Sequence, residues 1–341
     1  MNQQDVEHTL TKLNQAIEEV GKVIVGQSQV IEELLISIMA GGHCLLEGVP
    51  GLAKTLMVSS LSKTLAMDFN RVQFTPDLMP SDIIGTEILE TDHDSGDRFF
   101  KFQQGPVFTN ILLADEINRT PPKTQAALLE AMQEKSISYG GKSYNLPQPF
   151  FVLATQNPVE QAGTYSLPEA QLDRFLMFIR VGYPSADEEV EILKRTTNNV
   201  ATTLMKVLSA QEMLNLQSLT RDVEISDALV TYITQLVRNT RPAQGSETSN
   251  CQFVNQYIRW GAGPRAGQAL VLCAKAKALM SGRYAATLND IEFVAPAILR
   301  HRMLLNFQAE AEQITTDDVI TALLSDTPKP VRKLSSHAVI T

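Results

Sequence analysis

The chain has 341 residues, 44% hydrophobic and 20% charged, with a formal charge of −9; that length exceeds what one core normally fills, so two packed domains are expected. The acidic balance argues against a surface that neutralises nucleic-acid phosphates nonspecifically. Three scattered cysteines (Cys44, Cys251, Cys273) and five histidines that do not cluster near them argue against a disulfide framework and a zinc site. The polar N-terminus and the lack of any run approaching ~18 apolar residues predict no membrane span and a cytoplasmic protein.

Apolar residues recur at helical spacing over Asp5–Val20 and Gln27–Ala40, with Val23–Gln27 as a short extended link. The apolar run Cys44-Leu45-Leu46 then reads as a strand, Gly48–Thr55 as a glycine loop, and Leu56–Leu65 as a helix. Further strands are predicted at Arg71–Phe74, Ile111–Ala114, Phe150–Thr155 and Phe178–Val181, with helices at 121–134 and 168–174 between them. Ile111–Ala114 is wholly apolar, as a parallel strand covered on both faces should be. This alternation predicts an α/β domain over 1–184, a parallel sheet flanked by helices.

Two segments interrupt the alternation and read as hairpins: about 86–104, around Asp94-Ser95-Gly96-Asp97, and 136–144, around Gly140-Gly141. After Pro184 strand signals nearly stop. Ser185 with Glu188, and Ser209 with Glu212, form capping boxes, and further helices start near Ser226, Gly263, Thr287 and Thr315. Residues 185–326 therefore read as a helical domain with a loop at 241–250, and 327–341 as a loosely held basic tail.

Chemistry concentrates at the loop Gly48-Val49-Pro50-Gly51-Leu52-Ala53-Lys54-Thr55. Glycines let backbone N–H groups turn inward around a phosphate, and the helix start that follows adds partial positive charge there. Lys54 would then reach the β- and γ-phosphates of ATP, and Thr55 would ligate Mg²⁺. The position before the lysine is usually glycine in such loops and is Ala53 here. Asp115 and Glu116 end the apolar strand, where one carboxylate can hold Mg²⁺ and a second can take the proton of an attacking water. Asn157 ends the next strand, where a neutral amide can orient that water; the same Asn-Pro pair also reads as a plain turn.

Taken together, Gly48–Thr55, Leu112–Arg119, Ala154–Pro158, Leu167–Phe175 and Gly261–Ala266 closely resemble the MoxR family of AAA+ ATPases, over about 25–325. The resemblance implies an AAA+ P-loop core with a C-terminal all-helical lid, and alanine at position 53 is usual for the family. It implies Walker A roles for Lys54 and Thr55, Walker B roles for Asp115 and Glu116, and the sensor-1 role for Asn157. Arg174 matches the arginine finger that reaches a neighbouring subunit's nucleotide, Arg265 the sensor-2 arginine, and Val25-Gly26-Gln27 the segment near the adenine. The hairpins match inserts that line or face the pore of a ring, expected to be a hexamer. A trans arginine needs a heterologous interface, which closes into such a ring.

The expected function is chaperone-like assembly or activation of protein complexes, with ATP and Mg²⁺ as cofactors and a von Willebrand factor A domain protein as partner. A magnesium-chelatase-like motor subunit fits the same motifs, and so, less well, does a nucleic-acid motor. Against the latter, residues 77–104 carry Asp77, Asp82, Glu87, Glu90, Asp92, Asp94 and Asp97 but only Arg98 and Lys101, the wrong sign for a DNA-lining loop. A scaffold that binds nucleotide without hydrolysis is disfavoured by Glu116 and Asn157.

Overall fold

The computed structural model describes residues 3–91, 97–158, 163–197, 203–243, 249 and 251–330. It divides into two compact units, Met1–Val223 with Ala276–Tyr284, and Glu224–Lys275 with Ala285–Thr341.

The first unit opens with α1 (Gln3–Gly21) and α2 (Ser28–Ala40). Every residue of α2 from Val30 to Ala40 except Glu32 is buried, and Gly41 ends the helix at φ 73° by donating back to Ile38 and Ser37. The sheet follows: β1 (Cys44–Glu47), β2 (Phe69–Gln73), β5 (Ile111–Asp115), β8 (Phe151–Gln156) and β9 (Met177–Arg180), all parallel in the order β2-β5-β8-β1-β9. The helices α3 (Lys54–Thr64), α5 (Pro122–Glu134) and α6 (Glu169–Leu172) alternate with these strands. All five residues of β5 are buried, as predicted from its unbroken apolar run. The predicted helix at 168–174 is a single turn.

Between β2 and β5, the short helix α4 (Pro80–Ile84) leads into an antiparallel hairpin of β3 (Gly85–Thr91) and β4 (Arg98–Gln104). Its tip, with Asp92 and Asp94, lies outside the described residues. The second hairpin, β6 (Ser136–Tyr139) with β7 (Lys142–Asn145), turns at Gly140 and Gly141, both at positive φ (57° and 76°). Two such residues form the tight turn whose twist suits a hairpin, and glycine adopts it without strain. Phe102 ties the two hairpins together, stacking on Tyr144 (centroids 4.4 Å apart) and lying against Tyr139 at 5.2 Å.

The predicted capping boxes start α7 (Ala186–Thr196) and α8 (Ala210–Asp222). Both helices belong to the first compact unit. Gln217 of α8 donates to the Ile38 carbonyl at 2.7 Å, fixing α8 on α2.

The second unit contains α9 (Asp227–Asn239), α10 (Gln252–Tyr257), most of α11 (Pro264–Met280), α12 (Leu288–Leu299), α13 (Phe307–Ala311) and α14 (Thr316–Asp326). A short antiparallel pair, β10 (Ile258–Trp260) with β11 (Leu304–Leu305), was not expected in a helical domain. Nor is the chain loose from Thr327: that residue is buried, donates to the Leu323 carbonyl at 2.8 Å, and Lys329 pairs with Glu292 at 2.7 Å. The rest of the predicted tail, 331–341, lies outside the described residues.

One core histidine carries a pH signature. His43 is buried, accepts from the Val152 N–H at 3.0 Å and faces the Met132 carbonyl at 3.1 Å, pinning the start of β8. Burial pushes its pKa down to about 4. Between the ordinary value near 6.5 and that value the unfolded chain binds a proton the folded chain does not, so stability falls as pH falls across this window. His43 should account for roughly 3 kcal/mol of that loss, at about 1.4 kcal/mol per pH unit. Denaturant unfolding at pH 7 and pH 4 checks this: His43→Gln should lose less stability than wild type over the interval, and equal losses would refute it.

Candidate functional site

Parallel pairing sets the geometry. Because β1, β5, β8 and β9 run the same way, their C-terminal ends share one sheet edge, where open α/β sheets bind ligands. Gly48, Glu116, Asn157 and Val181 follow those four ends.

The glycine loop leaves β1 with Gly48 against β9. A Cβ on Gly48 would lie 3.0 Å from both Cβ and the carbonyl oxygen of Val181, so glycine is what lets the loop start there. Gly51 has φ 87° and Ala53 has φ 55°, ψ 22°, immediately before α3. An L-residue in this left-handed region costs about 1–2 kcal/mol, and alanine is the smallest side chain that bears it. Lys54 folds back to donate to the Gly48 carbonyl at 2.5 Å. Its pKa is lowered chiefly by burial, with Asp115, Glu116 and Glu47 pulling the other way. An ammonium here is partly desolvated and is favoured by the nearby carboxylates of Asp115, Glu116 and Glu47.

Asp115 is buried and held by three hydrogen bonds: Oδ1 accepts from the Thr155 hydroxyl at 2.6 Å, and Oδ2 accepts from Arg71 Nη2 at 2.7 Å and Nε at 3.1 Å. The same Thr155 hydroxyl accepts the Glu116 N–H at 2.8 Å, locking the ends of β5 and β8 together. Glu116 sits at φ 58°, ψ 50°, a second left-handed non-glycine residue. Its Oε2 accepts from Gln73 at 2.8 Å and from Arg119 at 3.0 Å. Asn157 is buried just beyond β8. Beside it, Gln156 donates to Glu47 at 2.9 Å, and Arg180 pairs with Glu47 at 3.2 Å.

Val25-Gly26-Gln27 lies at the same edge. Gln27 donates to the Gly182 carbonyl at 3.1 Å, and a Cβ on Gly26 (φ 77°) would fall 2.5 Å from Glu188. The structure thus brings Val25–Gln27, Gly48–Thr55, Asp115, Glu116 and Asn157 to one edge.

Arg174 is elsewhere. It precedes β9, whose first residue Met177 is level with Cys44 at the start of β1. Its own phosphate loop therefore lies at the opposite edge, a strand length of about 13 Å away, and its side chain is exposed. Arg265 opens α11 in the second unit, also exposed.

Sequence reasoning missed Arg71, Gln73, Arg119 and Thr155. Thr155 stood inside a quoted motif, but Arg71 and Gln73 become visible only once β2 pairs with β5 and sets Gln73 beside Asp115.

The donor set fits a magnesium nucleotide. Thr55 and Asp115 offer the hard oxygens that Mg²⁺ takes, and among the described residues no group of three or more His, Cys, Asp or Glu forms a metal cage. Mg²⁺ needs none, since it is commonly held by one or two protein oxygens and the substrate's phosphates.

Comparison with known proteins agrees. The family model for ATPases associated with various cellular activities (AAA) matches residues 43–177, and the AAA lid domain model matches 252–323. Chaperone MoxR1 of Mycobacterium tuberculosis is 44% identical over 95% of this chain and 83% of its own length. The chain belongs to the MoxR family of AAA+ ATPases. Protein MoxR of Paracoccus denitrificans is 33% identical over 83% of this MoxR-family chain and 86% of its own. A solved structure from Cytophaga hutchinsonii superposes with TM-score 0.86 at 46% identity, covering 95% and 97% of the two chains.

The strained loop yields a test at two positions. Ala53→Gly should keep nucleotide affinity within about twofold, whereas Ala53→Val, β-branched at positive φ, should weaken it about tenfold or more. Gly48→Ala should weaken it as well, by pushing the loop off Val181. Titration with a fluorescent ATP analogue reads all three, and wild-type affinity in Ala53→Val would refute the role given to loop geometry.

Proposed function

We propose that this MoxR-family protein hydrolyses ATP with Mg²⁺ and uses the energy as a chaperone-like motor that assembles or activates protein complexes. The observation that carries the reading is the convergence of Gly48–Thr55, Asp115, Glu116 and Asn157 on one sheet edge.

In this reading the N–H groups of Gly48–Thr55 and the start of α3 cradle the phosphates, and Lys54 leaves the Gly48 carbonyl to bind the β- and γ-oxygens. Thr55 and Asp115 would hold Mg²⁺, which would supply positive charge to offset the negative charge that develops during phosphoryl transfer. Arg71, now on Asp115 Oδ2, would share that carboxylate with the metal. Glu116 takes the proton of the attacking water, and Asn157 orients that water. Val25–Gln27 borders the base, and Arg265 keeps the sensor-2 role that its motif implies.

Arg174 acts on a neighbour. Its place at the edge opposite its own loop favours catalysis in trans, and hence a closed ring, read here as a hexamer. The client, or a von Willebrand factor A domain partner, would meet the inserts. On β4, Phe99 and Phe100 are exposed while Phe102 is taken up by the other hairpin, leaving two phenylalanines for apolar grip. Among the described residues no helix is long and apolar enough to cross a membrane, and a cytoplasmic site of action fits.

Lys54→Ala should abolish ATP binding. Glu116→Gln should bind ATP yet lose roughly 10² to 10⁴ in turnover, the usual worth of a positioned base. Nucleotide titration alongside phosphate release separates the two, and wild-type turnover in Glu116→Gln would overturn the assignment.

Arg174→Ala should lose about 10³ or more, the typical worth of a trans arginine. Mixed with Glu116→Gln it should recover activity, because a Glu116-bearing site can face an Arg174-bearing neighbour. No recovery in mixed assemblies verified by mass would refute action in trans.

A further inference from the structure

The second unit carries an elongated groove that none of the roles above uses. One end is a cavity of about 570 Å³ lined by Arg238, Arg241, Arg259 and Trp260. It meets, at Arg238, Arg241 and Pro264, a cleft of about 660 Å³ between α9 and α11 with walls of Val230, Ile233, Val237, Val271 and Leu272. No acidic residue lines either part among the described residues, although the whole chain carries −9. Arg241 is held by donating to the Ala262 carbonyl at 3.1 Å. From Val230 to Arg241 the groove runs about 16 Å at helical rise, apolar at one end and cationic at the other.

The first unit carries the complement. Helix α7 buries none of its residues. Its inner face is engaged: Glu188 caps the helix beside Gly26, and Arg195 binds Glu191 and the carbonyls of Gly21 and Lys22. The opposite face has Ala186, Val190 and Leu193 at i, i+4 and i+7, one stripe of a helix. Val190 is 50% and Leu193 62% exposed. Asp187 and Glu189 are exposed in the first turn, beside the stripe.

We propose that α7 of one copy lies in the α9–α11 groove of another. The match fixes direction: Asp187 and Glu189 meet Arg238, Arg241 and Arg259, while Val190 and Leu193 enter the apolar cleft, so α7 runs antiparallel to α9 and along α11. This is a helix seated in a groove by its apolar stripe, with charge complementarity setting its register. Because the two surfaces differ, the contact is heterologous and propagates from copy to copy. The inference rests on the ring reading only in needing a second copy close by, and it names surfaces that the reading leaves open.

The test uses the full chain with ATP and Mg²⁺. Sedimentation of wild type first establishes whether copies associate, and absence of association would overturn both this contact and the ring. If they associate, Arg238→Glu with Arg259→Glu should raise the concentration needed about tenfold or more, and Asp187→Arg with Glu189→Arg should do the same. Mixing the two reversed proteins should restore association, because charges of opposite sign again face each other at that contact. Wild-type association in both reversed proteins would overturn the docking while leaving the ring reading intact.

A second measurement does not depend on how reversed proteins fold. The native cysteines Cys44, Cys251 and Cys273 are buried, so Leu193→Cys on one copy and Gln268→Cys on another should be joined by a short bismaleimide into covalent dimers. Their absence from an associated mixture overturns the proposal. Trp260, the chain's single tryptophan at the groove's cationic end, should shift its emission on association; no shift counts against the contact.

Discussion

The site depends on parallel pairing in a five-stranded sheet. Parallel strands point their C-terminal ends the same way, so residues far apart in the chain are delivered to one edge by register alone. Cys44 pairs with Leu153 on one side and Met177 on the other, and once these pairings form, Gly48, Asn157 and Val181 must be neighbours. Two features then tighten the edge. Gly48 has no Cβ to hold β9 away, and Thr155 uses one hydroxyl to donate to Asp115 and accept from Glu116. Thr155 therefore does for the strand ends what the ladder does for the strands: it fixes β5 against β8 just beyond their last paired residues.

Two residues in left-handed backbone sit at the same edge. Ala53 and Glu116 both occupy left-handed backbone that glycine would adopt more cheaply. At Glu116 the proposed reading gives the carboxylate a task that glycine could not perform, and the N–H bond to Thr155 holds the backbone in place. At Ala53 no side chain is needed, and the residue is the least costly departure from glycine. The two sites thus differ in kind: one stores strain to place a carboxylate, the other merely tolerates it.

Much of this was legible in the sequence. The unbroken apolar run at Ile111–Ala114 announced a doubly covered parallel strand, and Gly140-Gly141 announced a two-residue turn, because each signal depends on residues close together in the chain. The groups around Asp115 and Glu116 were not legible. Arg71 and Gln73 lie on an exposed strand with no local reason to matter, and acquire one only through the register of β2 on β5. The capping box at Ser185 starts a helix, but a cap carries no information about which core that helix joins. Short elements such as β10 and β11 escaped because two or three residues cannot establish a period.

A packed route leads from Glu116 to the inserts within the first unit. The 3₁₀ turn Ile117–Arg119 follows Glu116 directly. Gln125, fully buried in α5, places its Nε2 3.1 Å from each of the carbonyls of Ile117, Thr120 and Tyr165, so its two hydrogens are shared among three acceptors. One amide thereby binds that turn and the segment before α6 to the helix. At its far end α5 stops at Lys135, in the left-handed conformation, and the chain enters β6 at once. The second hairpin is then joined to the first through Phe102 against Tyr139 and Tyr144. A rigid helix with a polar clamp at one end and an aromatic cluster at the other cannot let the turn beside Glu116 shift without carrying the hairpins or breaking buried hydrogen bonds, and breaking one costs about 1–3 kcal/mol. Buried contacts thus tie both inserts to that turn through α5.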